Sequence, residues 1–269
     1  MVRLPSLRGI IDRRILVNFR IDAAALDAVL PDPFEPRTVD GYAIGGICLL
    51  RLTDVRPRGL PAFVGTRSEN AAHRIGVEWD DAGVGAAGAD GERRSGVYVP
   101  RRDTSSRLTA AVGRRSFGEY YRADFDVDER DSRYAVAMRS RDGETRMSVT
   151  AGEADEIPAD SVFDSVAAAS EYHRRGAVGY SPAAGDAGER FDGVELTTDE
   201  WRVRPLSVSE VSASFFEDER RFPTDAVTFD NALLMRDIGH EWRDVGSICP
   251  EPDATADDPA SARTAQSTV

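Results

Sequence analysis

The sequence predicts an α+β domain, mainly antiparallel β with a few peripheral helices, and three patterns carry that expectation. Residues 67–79 and 117–127 each set apolar side chains on one face at the period of two that a strand requires. Asp142-Gly143 stands between two further runs, 133–140 and 144–150, and this dipeptide favours a tight hairpin because glycine accepts positive φ without steric cost. The helical segments are short and bounded by capping residues or proline. Nothing repeats at a fixed period, which argues against a solenoid or propeller.

In chain order, 13–21 reads as a strand, Asp22 as an N-cap, and 23–30 as a short helix stopped by Pro31 and Pro33. Residues 42–55 are apolar on both faces, as in a strand buried on both sides, with Arg51 the exception, near an end or paired. The strand 67–79 sets Arg67, Glu69, Ala71, His73, Ile75, Val77 and Trp79 on one face and Ser68, Asn70, Ala72, Arg74, Gly76 and Glu78 on the other. A Gly/Ala/Asp-rich loop over 80–96 leads to a short strand, 97–101, and a brief helix with Asp103 or Thr104 as N-cap and Gly113 past its end. On 117–127, Phe117, Glu119, Tyr121, Ala123, Phe125 and Val127 share a face. A helix is expected over 161–175 between Asp160 and Gly176, then a loop at 179–182 and strands over 194–216 and 226–238. One domain, 1–250, precedes a tail, 251–269, that lacks large apolar residues before Val269 and is expected to be disordered.

The 269 residues carry 47 acidic against 34 basic side chains, for a net charge of −13, and every basic residue is arginine. Without lysine the chain lacks the usual side-chain nucleophile for imine formation with a ketone or aldehyde. The acidic excess disfavours nucleic acid and anionic membranes as partners, since both attract positive surfaces. Carboxylate excess with arginine in place of lysine suits a halophilic, molar-salt cytoplasm, where the Debye length is roughly 3 Å, although codon bias in a GC-rich genome also replaces lysine. Cys48 and Cys249 cannot make a disulfide framework, and Cys48 reads as a buried small hydrophobe. The opening MVRLPSLRGIIDRR has no apolar signal core, and no run approaches the roughly 18 apolar residues of a membrane span. A cytoplasmic protein with a small-molecule ligand and no cofactor is expected; homo-oligomerisation is left open.

Gly83–Gly88 matches the G-x-G-x-x-G spacing, but it leads into a strand rather than opening a helix, so it lacks the helix N-terminus that holds a pyrophosphate. No G-x-S-x-G, P-loop, H-E-x-x-H or C-x-x-C occurs, and His73, His173 and His240 are far apart in sequence, so no metal site is expected. What remains is the polar set on otherwise apolar faces: Arg67, Glu69, His73, Glu119 and Tyr121. Such groups are costly to bury unless paired or solvated, so they form either a structural network or the lining of a ligand cavity. Glu69 and Tyr121 are the candidate catalytic residues, with Arg67, His73 and Glu119 as ligand-binding groups; Arg101 and Arg102 bind an anion or cap the helix.

RRILVNFRIDAAALDAVLPDPFEP (13–36) is similar to the opening strand and helix of acetoacetate decarboxylase. VYVPRRDTSSRLTAAVGRRSFGEYY (97–121), GYSP (179–182) and FDNALLMRDIGHEW (229–242) resemble a YqjF-like branch of that superfamily. The resemblance covers about residues 10–245 and implies a closed, cone-shaped antiparallel β-barrel with outer helices and an inner pocket. It places Tyr121, or a neighbour, where the decarboxylase carries its imine-forming lysine. Glu69 matches a pocket glutamate, and Arg13 and Arg14 lie near the family's arginine. Two functions follow: a small-molecule-binding barrel for an anionic or carbonyl compound, or a lysine-independent lyase or hydrolase acting on a small keto or enol substrate.

Overall fold

The computed structural model describes residues 6–80, 93–113, 119–185 and 190–249. Of the loop expected over 80–96, residues 81–92 with the Gly83–Gly88 motif lie outside the described residues, as does the tail from Glu251, while Asp80 ends strand β5 and 93–96 begin strand β6 because they pair with each other across the two strands. The elements run β1 (Leu7–Asp22), α1 (Ala23–Asp27), β2 (Glu35–Pro36), β3 (Thr38–Val39), β4 (Tyr42–Pro57), a 3-10 turn (Ala62–Val64), β5 (Thr66–Asp80), β6 (Arg93–Thr104), α2 (Arg107–Gly113) and β7 (Tyr120–Arg130). They continue through β8 (Arg133–Ser140), β9 (Arg146–Glu153), α3 (Val166–Arg175), β10 (Val178–Pro182), β11 (Phe191–Thr198), β12 (Arg204–Ala213) and β13 (Val227–Ile248).

The strands form one sheet, ordered β11-β10-β6-β7-β8-β9-β12-β13-β1-β4-β5-β2, with β3 on β4 and additional pairings of β11 with β13 and β6 with β5. All pairings are antiparallel except β6 with β7 and β10 with β6. Period two on β1, β4 and β5 explains two apolar clusters. Ile15, Val17, Ile47, Leu49, Ala71, Ile75 and Val77 pack on one face with Val136, Met138, Val149 and Phe216. Leu16, Ile44, Cys48, Leu50 and Leu52 pack on the other with Leu233, Met235, Phe163 and Ala169 and Tyr172 of α3. These are called the inner and outer faces below.

Several elements differ from expectation. The strand expected at 97–101 extends to Thr104, so Asp103 and Thr104 end β6 rather than cap α2; Ser106 Oγ accepts the Thr109 amide instead. Gly113 is the last residue of α2 rather than the first beyond it. The GYSP segment is strand β10, because it pairs with both β6 and β11. The run 194–216 divides into β11 and β12, which pair with different stretches of the 22-residue β13. Helix α3 begins at Val166, capped by Ser165 Oγ, because the preceding turn is held by Asp230, which takes the Ser161 hydroxyl and the Val162 amide. The 133–150 hairpin forms with Gly143 at φ 82°, in the left-handed region that glycine reaches freely.

One irregularity governs the site. Across β5 and β6, His73 pairs with Arg101 while Ile75 pairs with Tyr98, so Val99 and Pro100 oppose the single residue Arg74. This bulge reverses the alternation of β6, and Pro100, with no amide to donate, suits it. Tyr98, Arg101 and Asp103 therefore share the inner face with β5's odd residues, and Val97, Val99 and Arg102 share the outer face.

Candidate functional site

On the inner face, Arg236, Arg13, Arg51 and Glu69 stand directly opposite one another across β13, β1, β4 and β5. Glu69 accepts from Arg13 at 2.6 Å and from Arg51 at 2.5 Å, so both its oxygens are engaged. Glu129 on β7 meets Arg13 at 2.5 Å, Arg51 at 2.9 Å and Arg236 at 3.3 Å, and Asp12 lies 3.5 Å from Arg51. Burial pushes the Glu129 carboxyl upward, but Arg13, Arg51 and Arg236 outweigh it and hold the group below the ordinary range. Three arginines thus meet three carboxylates, and the fully buried Arg13 is compensated from two sides.

Further along the same face, Arg101 grips the buried Asp103 with two bonds of 3.0 Å and Asp142 at 2.7 Å, while its guanidinium stacks 4.0 Å over the Tyr121 ring. Tyr121 donates to Glu119 at 2.6 Å. Burial raises the Asp103 carboxyl, opposed by Arg101. His73, paired in register with Arg101, is fully buried 4.8 Å from the Phe215 ring, and neither ring nitrogen has a partner among the described residues. Burial, with Arg101 and Arg221 adding repulsion, lowers it to about 3, so it is neutral near pH 7.

Among the expected site residues, then, Tyr121, Glu119 and Arg101 are brought together, His73 lies beside them, and Glu69 belongs to the separate arginine cluster. Arg67, expected on the inward face, is exposed at the start of β5, where the strand leaves the packed region. Arg102 faces the other side altogether.

That outer side holds a cavity of about 410 Å³ walled by β4, β5, β6, β10 and β11 and closed by the end of α3. Small residues along its wall, among them Ser68, Ala72, Gly176, Ala177 and Gly179, leave the space open. Arg14, Arg56, Arg74, Arg102 and His173 line it, and no Asp or Glu does among the described residues. Arg74 donates to Asn18 Oδ1 and, at 3.1 Å, to His173 Nδ1; its Nε has no partner among the described residues. Because arginine only donates, Nδ1 of the neutral His173 accepts and the proton sits on Nε2, which also has no partner among the described residues. Asn18 passes the Arg74 bond to Asn231 at 2.8 Å, and only beyond it does Asp230 appear. Burial pushes Arg74 down to about 10 and His173 well below its usual value, leaving the arginine charged near neutrality. Arg14 has soft partners, Cys48 Sγ at 3.1 Å and Met235 Sδ at 3.8 Å, with the Trp201 ring 5.6 Å away. Tyr120, the neighbour of Tyr121, also lines the cavity.

A second cleft of about 490 Å³ beside β1 and β13 carries both signs of charge, with Arg58 3.3 Å from Glu241 and Arg56 3.8 Å from Asp54. No group of three or more His, Cys, Asp or Glu suited to a metal ion occurs among the described residues, nor any helix long and apolar enough to cross a membrane.

Sequence reading singled out neither Arg74 nor His173. The available signal was Arg74 itself, a charge set among Ala72, Gly76 and Asn70 on a face too small to fill its own space.

The architecture is that of acetoacetate decarboxylase-like proteins. The enzyme from Legionella pneumophila subsp. pneumophila is 11% identical over 91% of this chain and 87% of that one, with a TM-score of 0.54. The enduracididine biosynthesis enzyme MppR, in complex with the condensation product of pyruvate and imidazole 4-carboxaldehyde, is 11% identical over 93% and 90%, with a TM-score of 0.57. An acetoacetate decarboxylase-like enzyme from Sphingomonas wittichii RW1 gives 12% identity, 93% and 94% coverage and a TM-score of 0.51. The chain belongs to the DUF2071 family of uncharacterized conserved proteins, whose model matches residues 11–229. No curated relative matches the sequence.

Proposed function

We propose that this protein binds a small anionic or carbonyl compound in the outer cavity and forms no imine with it. The observation that carries this reading is the buried Arg74, held by the neutral Asn18 and His173 in a lining with no Asp or Glu among the described residues, in a chain where acids outnumber bases 47 to 34. A buried guanidinium without a counter-charge is unfavourable, and an entering anion supplies the missing partner. The pairings of β5 with β6 and of β11 with β13 support a closed, barrel-like wall around the cavity. On the same reading the protein works in a salt-rich cytoplasm, in a YqjF-like branch of a halophilic archaeon, without nucleic acid or membrane partners.

The test is native mass spectrometry of protein purified in molar KCl, followed by thermal titration with acetoacetate, pyruvate and benzoate and by borohydride trapping. A ligand raises the midpoint as it saturates the folded state. A co-purified or stabilising organic anion and no reduced adduct are expected. A covalent adduct, or indifference to every anion, sinks the reading.

A second reading, a lysine-independent lyase or hydrolase acting on a keto or enol substrate, draws on the inner face, where Tyr121 contacts Glu119 and Arg101 beside an unpartnered His73. There Tyr121 polarises the carbonyl and Arg101, Glu119 and His73 supply ligand contacts, Glu69 serves as base from the adjoining arginine cluster, and the exposed Arg67 takes no part. Turnover of a keto acid that is lost in both Glu69→Gln and Tyr121→Phe would favour it; turnover unchanged in both would end it.

A further inference from the structure

The outer cavity is graded along its length. On β4 and β5 its wall descends through paired positions from Val55 and Thr66, past Leu52 and Ser68, Leu50 and Asn70, Cys48 and Ala72, to Gly46 and Arg74. From Thr66 to Arg74 the strand runs about 26 Å at about 3.3 Å per residue. The charged end is the closed one: Arg74 is 8% exposed and His173 5%. The other end is open and apolar, with Val64 40% exposed and Leu108 61% exposed among the lining residues. Beside Val64, Phe63 is 86% exposed, an apolar rim on a chain otherwise rich in surface charge. Arg56, near this rim, is occupied by the backbone carbonyls of Asp54 and Leu60.

We infer that the cavity takes a single-chain amphiphile, an unesterified carboxylate whose head seats at Arg74 and His173 and whose apolar chain runs out past Val55, Val64 and Leu108. This rests on reading the cavity as an anion site and adds the ligand's shape and orientation. Arg74 Nε and His173 Nε2, both buried, have no partner among the described residues, so the closed end holds two unmet donors for a carboxylate head. An ester or thioester has lost that charge and carries a bulky group at the end that enters first.

Calorimetric titration of the full chain in molar KCl with acetate, butyrate, hexanoate and octanoate, all below micelle formation, tests the inference. Affinity should rise roughly three- to fourfold per added methylene, as burial of apolar chain implies. Methyl octanoate should bind at least tenfold more weakly than octanoate. Arg74→Met should weaken octanoate at least tenfold, and Leu108→Asp, a surface change that leaves the fold intact, should weaken octanoate while sparing butyrate. Acetate or butyrate binding as tightly as octanoate would overturn the amphiphile while leaving an anion site. Equal binding of the methyl ester would overturn head recognition. No binding of any of these carboxylates would overturn this inference, and only together with indifference to acetoacetate, pyruvate and benzoate would it overturn the function on which it rests.

Discussion

Arg13 and Glu129, 116 residues apart in sequence, meet at 2.5 Å on the inner face, and the guanidinium is wholly excluded from solvent. Removing one member of such a pair strands the other, so Glu129→Gln should destabilise the protein by about 3 kcal/mol in chemical denaturation. A loss within about 0.5 kcal/mol would mean that Glu69 alone compensates Arg13. The depressed Glu129 carboxyl contributes stability that is present above its unfolded pKa and lost as pH falls through its lower folded value.

Acid sensitivity should begin earlier than the carboxylates dictate. His73 is lowered to about 3 and His240 to about 4, both chiefly by burial, and His173 also lies well below 6.5. Above pH 6.5 these groups are neutral in both states and contribute nothing; below it the unfolded chain takes protons that the folded chain refuses, so stability falls. Each adds a slope of up to about 1.4 kcal/mol per pH unit. His73→Leu should remove one such increment between pH 6 and pH 4, read from denaturation midpoints across that range. An unchanged slope would show that His73 takes up its proton while folded.

Arg74→Met should change stability by no more than about 1 kcal/mol in either direction, because relief from burying a charge with no carboxylate of its own offsets the donors lost to Asn18 Oδ1 and His173 Nδ1. A large drop in thermal midpoint would identify Arg74 as a strut rather than a receptor for an anion.

Gly76 lies beneath Tyr172, and a Cβ there would overlap the phenol hydroxyl. Gly76→Ala should therefore lift α3 and cost about 2 kcal/mol. In the double variant with Tyr172→Phe the loss should be smaller than the two single losses combined, since removing the hydroxyl relieves the worst overlap. Simple additivity in a thermal melt would contradict the close approach.

The net charge of −13 predicts a midpoint that falls as KCl is lowered from molar to millimolar, as the Debye length grows from about 3 Å and carboxylate repulsion is released. A midpoint that held or rose would point to codon bias rather than salt adaptation.

Period two alone places Glu69 and His73 on one face of β5 and Glu119 and Tyr121 on one face of the segment entering β7, and the folded chain keeps both pairs there. Alternation says which side a residue faces but not what meets it. Glu69 is clamped by Arg13 and Arg51, 56 and 18 residues away in sequence, and no local pattern announces that. Nor does alternation locate the outer cavity, which exists because β10, β11 and the end of α3 close over a wall of small residues; that closure is wholly nonlocal. The segment 179–182 looked like a loop because its Gly and Pro outweigh one tyrosine in local propensity, and only pairing to two neighbours makes it a strand.

The extra residue at Val99 and Pro100 lets one strand address two compartments, and it does so through reading frame rather than side-chain identity. Losing a single residue there would transpose everything downstream to the end of β6: Arg101 and Asp103 would turn into the cavity, delivering the carboxylate it lacks, while Arg102 would enter the inner core without its tyrosine platform. Substitutions in this strand can adjust one compartment at a time. A length change exchanges the two at a stroke, so this stretch should tolerate new side chains far better than a new count of them.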